Sequence, residues 1–394
     1  MEILFYRYNS ICEPAVISAF QSFGITVHTE EREMHDKQTT PKQCAEAVSG
    51  WILKKPLAFV FSINFFPAIS YTCERLKVPY VCWTVDSPVP ELFSNALQNS
   101  YNRIFLFDRA QYEFFSPVNP SCIYYLPLAA DVKSLTETVL SMTDEDYAAY
   151  GAEVSFVGSL YTEKCRYDSL SLSDHTRGYV DGLMEAQLQV FGCNFISESL
   201  TESVIREIRE ADPHFYHSDD LRDGADRYLA AHQYIGMKLA ALERERTLQR
   251  LSEHFPVVLY TRSDTSALPR VDCRGGVSTL TEMPKVFQAS RINLNMTMRP
   301  IETGLSQRIW DILACGGFLL TNYQAELPDY FEIGKDLETY ESLAELEEKV
   351  QYYLSHEEER MKIAISGCEK AAKYHSYEIR LAQMIQTLTN NMPT

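Results

Sequence analysis

Short apolar runs alternate with helical stretches from the first residues of this chain, and that alternation leaves few folds open. Ile3 to Tyr6 reads as a strand, a helical pattern opens near Pro14, and Ile25 to His28 reads as a second strand. Thr40-Pro41 then starts a helix. Threonine as N-cap, proline at the first helical position and Gln43 three residues after the threonine form a capping box. Leu57 to Phe61, Tyr80 to Trp83, Arg103 to Phe107 and Ile123 to Leu126 are further strand candidates separated by helical stretches. Strands that alternate with helices pair in parallel, with helices covering both faces of the sheet. The expected class is α/β.

With 394 residues the chain exceeds the roughly 100 to 200 usual for one domain, so two domains are expected, 1–150 and 151–394. The second sheet begins at Val154-Ser155-Phe156-Val157-Gly158. A strand-poor region at about 161–253, with helical runs from Thr201 to Ala211 and from Tyr228 to Leu251, reads as a helical insertion. The sheet resumes at Val257 to Tyr260, Ile292 to Asn295 and Phe318 to Leu320. Ser342-Leu343-Ala344-Glu345 reads as another capping box, and Leu343, Leu346, Val350 and Leu354 line one helical face. Helices near 357–373 and 377–388 complete the chain.

The segment from Ile301 to Thr321 carries the most chemistry. A polar loop enters a short helix at Gly304, and Ile309, Ile312 and Leu313 recur at the spacing of one buried face. Gly316-Gly317 ends the helix, and Phe318-Leu319-Leu320 suits a buried parallel strand. In an open α/β sheet such a loop lies at the carboxyl ends of the strands, where N–H groups at a helix start favour a diphosphate. Gly304, Leu305 and Ser306 form that start, and Arg308 adds charge. Asp311, one turn into the helix, is placed to accept from ribose hydroxyls, and Glu302 is placed to accept from a sugar hydroxyl.

The formal charge of -18 argues against a nucleic-acid polymer or an anionic membrane as partner, because no basic stripe is present to release counterions. The cysteines show no Cys-x-x-Cys, and neither they nor the histidines have zinc spacing, so they read as small buried side chains in a reducing compartment. The first residues form a strand and lack the basic region of a signal peptide, and no apolar stretch approaches the ~18 residues that span a bilayer. The expected location is cytoplasmic.

From about Val277 onward, Met283-Pro284-Lys285-Val286-Phe287, Ile292-Asn293-Leu294-Asn295, the segment just described and His375-Ser376-Tyr377-Glu378-Ile379-Arg380 resemble the CgeB-like branch of GT-B glycosyltransferases. Trp83-Thr84-Val85-Asp86-Ser87-Pro88, Ile104 to Asp108 and Tyr125 to Asp131 resemble the accompanying N-terminal domain. The resemblance implies two Rossmann-like domains facing a cleft, and a last helix that returns to the first domain. The donor is then a nucleotide-diphosphate sugar, UDP- or GDP-linked, bound mainly by the second domain. The acceptor is a protein or glycan hydroxyl.

Within that resemblance, Val157 to Lys164 matches the strand and loop that grip the diphosphate. Lys164 stands for the family's lysine, whereas Ser159 stands where an arginine is usual, so Arg308 or Arg262 is expected to supply the guanidinium. Asp311 falls at the second position of the family's Glu-x7-Glu pair, and Glu302 lies one residue out of register with the first. Asp86, after a strand and before a proline break, and Glu13, after the first strand, are the candidates for a base on the acceptor side. Either could instead be a turn or cap residue. His375 is expected to pack. No metal or other cofactor is expected, because the helix start, Arg308 and Lys164 would neutralise the leaving diphosphate. A catalytically silent nucleotide-sugar-binding subunit and a nucleotide-sugar epimerase are the alternatives, and retention or inversion stays open.

Overall fold

The computed structural model describes residues 1–216, 218 and 220–391. It divides into two compact units, one made of 1–129, 216–225 and the terminal helix, the other of 130–215 and 226–376.

The first unit is built on a parallel sheet of β1 (Glu2–Tyr6), β2 (Thr26–Glu30), β3 (Phe59–Ile63), β4 (Tyr80–Trp83), β5 (Asn102–Leu106) and β6 (Ile123–Tyr125), in the order β2-β1-β3-β4-β5-β6. The central strands are buried along their length, as apolar runs covered on both faces should be. Phe5, Phe20 and Phe61 pack ring against ring at 4.9 and 5.1 Å. The helix Pro41–Lys54 starts as the sequence predicts: Gln43 N–H donates to Thr40 Oγ1 at 3.3 Å, and Thr40 N–H donates to Gln43 Oε1 at 2.8 Å.

Two later segments group with this unit. Asp220 accepts from the Tyr71 hydroxyl at 2.8 Å and from the Ser94 hydroxyl. In the terminal helix Tyr377–Asn391, the Tyr377 ring meets Trp83 edge-on at 5.9 Å, and Arg380 Nε donates to the Leu128 carbonyl at 3.2 Å.

The second unit holds β7 (Val154–Val157), β8 (Val257–Tyr260), β9 (Asp272–Cys273), β10 (Ile292–Asn295), β11 (Leu319–Asn322) and β12 (Glu338–Tyr340), again all parallel, in the order β12-β11-β10-β7-β8-β9. Phe156, Leu259, Leu294 and Leu320 from four adjacent strands share one core with Leu346 and Val350 of the helix Leu343–Ser355. Among the described residues, everything between β7 and β8 is helix or loop, including Asp174–Gln187, Glu202–Ala211 and Met237–Leu251.

Several details differ from the sequence expectation. The units divide at Ala129, upstream of 150, because the helices Val132–Leu140 and Asp144–Tyr150 pack on Met283–Ala289 of the second unit. The run from Tyr228 is not one regular helix, since Leu229–Gly236 is a π-helix that passes into Met237–Leu251. At Ser342 the hydroxyl accepts from Glu345 N–H at 3.1 Å, but the Glu345 carboxylate reaches back one residue further, to the Glu341 amide. That box is half formed.

Candidate functional site

Where the strand order of an open parallel sheet reverses, the loops leaving two neighbouring strands diverge and open a space at their carboxyl ends. In the second sheet this point lies between β7 and β10. Lys164 lies on the loop after β7. Glu302, Gly304, Leu305 and Ser306 lie on the loop after β10, and Arg308 and Asp311 lie on the helix Gln307–Ala314 that follows it. Arg262 lies on the loop after the neighbouring β8, whose Ser263 hydroxyl accepts from Leu160 N–H at 2.8 Å on the loop after β7.

The start of that helix has a specific cause. Ser306 is the N-cap residue, but its side chain does not cap. Its hydroxyl turns toward Asn295 Oδ1 at 3.4 Å and Thr297 Oγ1 at 3.2 Å. Asn295 Nδ2 also donates to Thr321 Oγ1 at 2.9 Å, and Thr297 N–H donates to Asn322 Oδ1 at 2.8 Å. The loop base is thereby stitched to β11 by buried polar groups that satisfy one another. At the far end Gly316 takes φ +71° and stops the helix, and Gly317 allows close passage, since a β-carbon there would meet Asn293 Nδ2 at 2.7 Å and the Phe287 carbonyl oxygen at 2.8 Å.

Asp311 is buried, and both its oxygens have partners: Gln307 Nε2 donates to Oδ1 at 2.9 Å and Arg308 Nη1 to Oδ2 at 3.2 Å. A carboxylate has further lone pairs, so it retains capacity to accept from a hydroxyl. Burial pushes the Asp311 carboxyl up and the Arg308 guanidinium down, and each is opposed by the charge of the other. Arg308 also lies over the Phe287 ring at 5.4 Å.

A residue not anticipated from the sequence joins the two loops. Arg244, on Met237–Leu251 and 8% exposed, donates Nη2 to the Met296 carbonyl at 2.7 Å and Nη1 to the Ser159 carbonyl. Its guanidinium lies over the Tyr161 ring at 4.4 Å. Among the described residues Arg244 has no ion pair and its Nε has no partner, and its charge is felt at Arg308. The preceding residue holds the same loop: Glu243 takes Arg299 Nε at 3.1 Å and Nη2 at 3.0 Å, both side chains being buried. The sequence signal is helical phase. Ala240, Arg244, Leu248 and Leu251 share a buried stripe, so an arginine at 244 breaks an apolar face.

Lys164 is exposed, with its ammonium 5.3 Å from the Tyr161 ring centroid. Arg262 is also exposed and lies against Gly276, where a β-carbon would come within 2.7 Å of it. The chain's Asp-x-Asp spacing, Asp144-Glu145-Asp146, belongs to a helix start: Asp146 accepts from Thr143 N–H at 3.0 Å and from Lys285 Nζ at 2.7 Å. Among the described residues no group of three or more His, Cys, Asp or Glu is placed to hold a metal ion.

His232, on the π-helix, is 3% exposed, and its Nε2 lies 3.4 Å from Glu302 Oε1. Burial lowers its pKa to about 4, so at neutral pH the contact is between a neutral imidazole and the Glu302 side chain. A histidine whose folded value lies below its unfolded one, ordinarily 6.5, contributes stability that is present above 6.5 and lost as the pH falls toward 4. Urea unfolding at several pH values should show a steeper loss between 6.5 and 4 in the wild type than in His232→Gln. Equal slopes would show that this imidazole is not held neutral.

In the first unit the order reverses between β1 and β3. Asn64, after β3 and at φ +57°, accepts from Val85 N–H at 3.0 Å. Its Nδ2 donates to the Tyr8 hydroxyl at 2.8 Å and to Asp86 Oδ2 at 2.6 Å. Asp86 is thus exposed yet oriented. Glu13 is buried: its carboxylate accepts from Tyr8 N–H at 2.8 Å, Ser10 N–H at 3.0 Å and Arg7 Nε at 3.0 Å, which closes the loop after β1. His375 packs among Trp310, Phe331 and Tyr330 at 5.2, 5.4 and 5.6 Å.

Among the described residues no helix is long and apolar enough to cross a membrane. Residues 241–386 match a family described as glycosyl transferase-like. A curated Aquifex aeolicus (strain VF5) relative, named only as an uncharacterized protein, is 27% identical over 99 residues, a match that spans 25% of each chain. The crystal structure of Anabaena Alr3699/HepE in complex with UDP and glucose is similar with a TM-score of 0.56 and 13% identity, covering 99% of this chain and 100% of that one. A Rickettsia africae glycosyltransferase gives 0.56 and 11%, covering 99% and 98%. A UDP-forming trehalose-phosphate synthase from Burkholderia xenovorans gives 0.56 and 10%, covering 100% and 99%. The fold is GT-B, and over residues 241–386 the chain carries a glycosyl transferase-like domain.

Proposed function

We propose that this chain is a metal-independent glycosyltransferase of the CgeB-like branch, moving a hexosyl or related group from a nucleotide-diphosphate sugar to a hydroxyl of a protein or glycan. The observation that carries this reading is the meeting of Arg244, Arg308 and the uncapped helix start at Ser306 where β7 and β10 diverge. Glycosyl transfer leaves a diphosphate behind while positive charge develops at the sugar carbon. Fixed donors aimed at the diphosphate stabilise that transition state without reorganisation. Loop amides from Gly304 to Ser306, leading into the helix at Gln307, and the two guanidiniums supply them, with Lys164 and Arg262 at the rim. Glu302 takes a sugar hydroxyl, and Asp311 takes the ribose through the lone pairs left by Gln307 and Arg308. Arg244 stands in for the arginine lacking at Ser159. The first unit is assigned the acceptor, with Asp86 as base; Glu13 shapes the loop beside it.

UDP is the first base to test, since the Anabaena structure holds UDP and the Burkholderia enzyme is UDP-forming. In a thermal-shift panel of UDP, UDP-glucose, GDP and GDP-mannose, one nucleotide pair should raise the unfolding midpoint. At a hundredfold excess over Kd the stabilisation is about 2.7 kcal/mol. The shift should survive EDTA. A panel with no shift sinks the donor assignment, and a shift abolished by EDTA sinks metal independence.

A further inference from the structure

His232 stands out as a buried polar group that the proposed chemistry does not use. Its Nδ1 has no partner among the described residues, and Nε2 lies 3.4 Å from Glu302 Oε1. It sits on Leu229–Gly236, a π-helix, a rare conformation that is frequent at functional sites. The helix is held close to the loop after β10: a β-carbon at Gly236 would meet Pro300 at 2.8 Å, and Tyr228 packs on the imidazole at 4.3 Å. Leaving an imidazole almost without solvent and half unpartnered costs free energy, so its placement needs a compensating use.

Resting on the donor assignment above, we infer that His232 is a positioning residue for Glu302, aiming that carboxylate at the sugar of the donor rather than at its nucleotide. With its hydrogen on Nε2 the neutral ring directs a donor toward Glu302, 3.4 Å away, and the lone pair stays on Nδ1, which has no partner among the described residues. A neutral donor fixes direction while leaving the carboxylate its charge, which a lysine or arginine in the same place would cancel. Held this way, Glu302 recognises a sugar hydroxyl without spending rotamer entropy on each binding event.

The test separates sugar from nucleotide by calorimetric titration of UDP and UDP-glucose into the full chain. In His232→Leu, UDP affinity should hold within about twofold while UDP-glucose affinity falls about tenfold. His232→Asn, polar but too short to reach Glu302, should behave alike, which covers the case of a leucine variant that does not fold. His232→Gln, which retains a donor, should recover most of the loss. The double variant His232→Leu/Glu302→Gln should bind UDP-glucose no more weakly than Glu302→Gln alone, because the histidine acts through the glutamate. Equal losses for UDP and UDP-glucose, or additive losses in the double variant, overturn the inference and leave the donor site standing. A wild type that binds neither these probes nor GDP and GDP-mannose overturns both.

Discussion

Glu243→Ala should destabilise the second unit by about 3–5 kcal/mol, the usual cost of removing one partner from a buried ion pair. Arg299 is buried, and Glu243 meets it through two contacts at 3.0 and 3.1 Å. Without the carboxylate the guanidinium keeps, among the described residues, the Val190 carbonyl at 2.7 Å and the face of Phe191 at 4.9 Å. Neither offsets its charge. Urea unfolding followed through the transition of the second unit gives the value. Adding Arg299→Met should restore much of the loss, since replacing a whole buried pair by apolar groups is often neutral. A single-variant loss below about 1 kcal/mol would mean that Arg299 finds water or another acceptor, and that the pair does not hold the loop after β10. The same substitution should weaken donor binding, because Arg299 lies on the loop that carries Glu302 and Ser306.

The strands that frame this site were legible because they are apolar runs buried on both faces. Val257–Tyr260 coincides with its sequence reading, and Val154–Val157 stops one residue short of it. Ile292–Asn295 also formed as read, although its two asparagines are polar. Their needs are met by Ser155, the Phe287 carbonyl and Thr321, partners that only the folded chain supplies. The two edge strands of this second sheet were not legible. Both residues of Asp272–Cys273 are exposed, so no hydrophobic period marks them. Glu338–Tyr340 begins with a buried glutamate, ion-paired with Lys349 at 2.7 Å and accepting from the Tyr353 hydroxyl at 2.9 Å. The π-helix left no trace either, because its register change alters hydrogen bonding and not the order of apolar residues. Arg244 was hidden among alternating charges, Glu243-Arg244-Glu245-Arg246, which resemble a solvated face. Only the phase of the buried stripe distinguishes the first two from Arg246. Glu302, Ser306, Arg308 and Asp311 were placed correctly on a loop and helix start at a strand end, but the pairing of Arg308 with Asp311 follows from local burial and could not be read from spacing alone.

Asp86→Asn should lower turnover by roughly 10² or more if the first unit supplies a general base, with donor affinity unchanged. The carboxylate is exposed, as a group that meets an incoming hydroxyl must be, and Asn64 Nδ2 fixes Oδ2 at 2.6 Å. That leaves Oδ1 as the oxygen to take a proton. Asn64 is in turn fixed by the Val85 amide at 3.0 Å and bound to the Tyr8 hydroxyl at 2.8 Å, so a chain of directed contacts from three loops sets the angle of one carboxylate. Orientation of this kind counts heavily, because a misplaced base loses most of its effect. Asn64→Ala should therefore lower turnover in the same direction as Asp86→Asn, but less, and the double variant should be no slower than Asp86→Asn alone. Rates are read as nucleoside diphosphate released from the donor, with and without acceptor. A retaining enzyme can use the departing phosphate itself as base, and in that case Asp86→Asn leaves the rate unchanged. Unchanged turnover, with product of retained configuration, would leave Asp86 and Asn64 as turn residues after β4 and β3 and move the chemistry entirely to the arginines and helix start of the second unit.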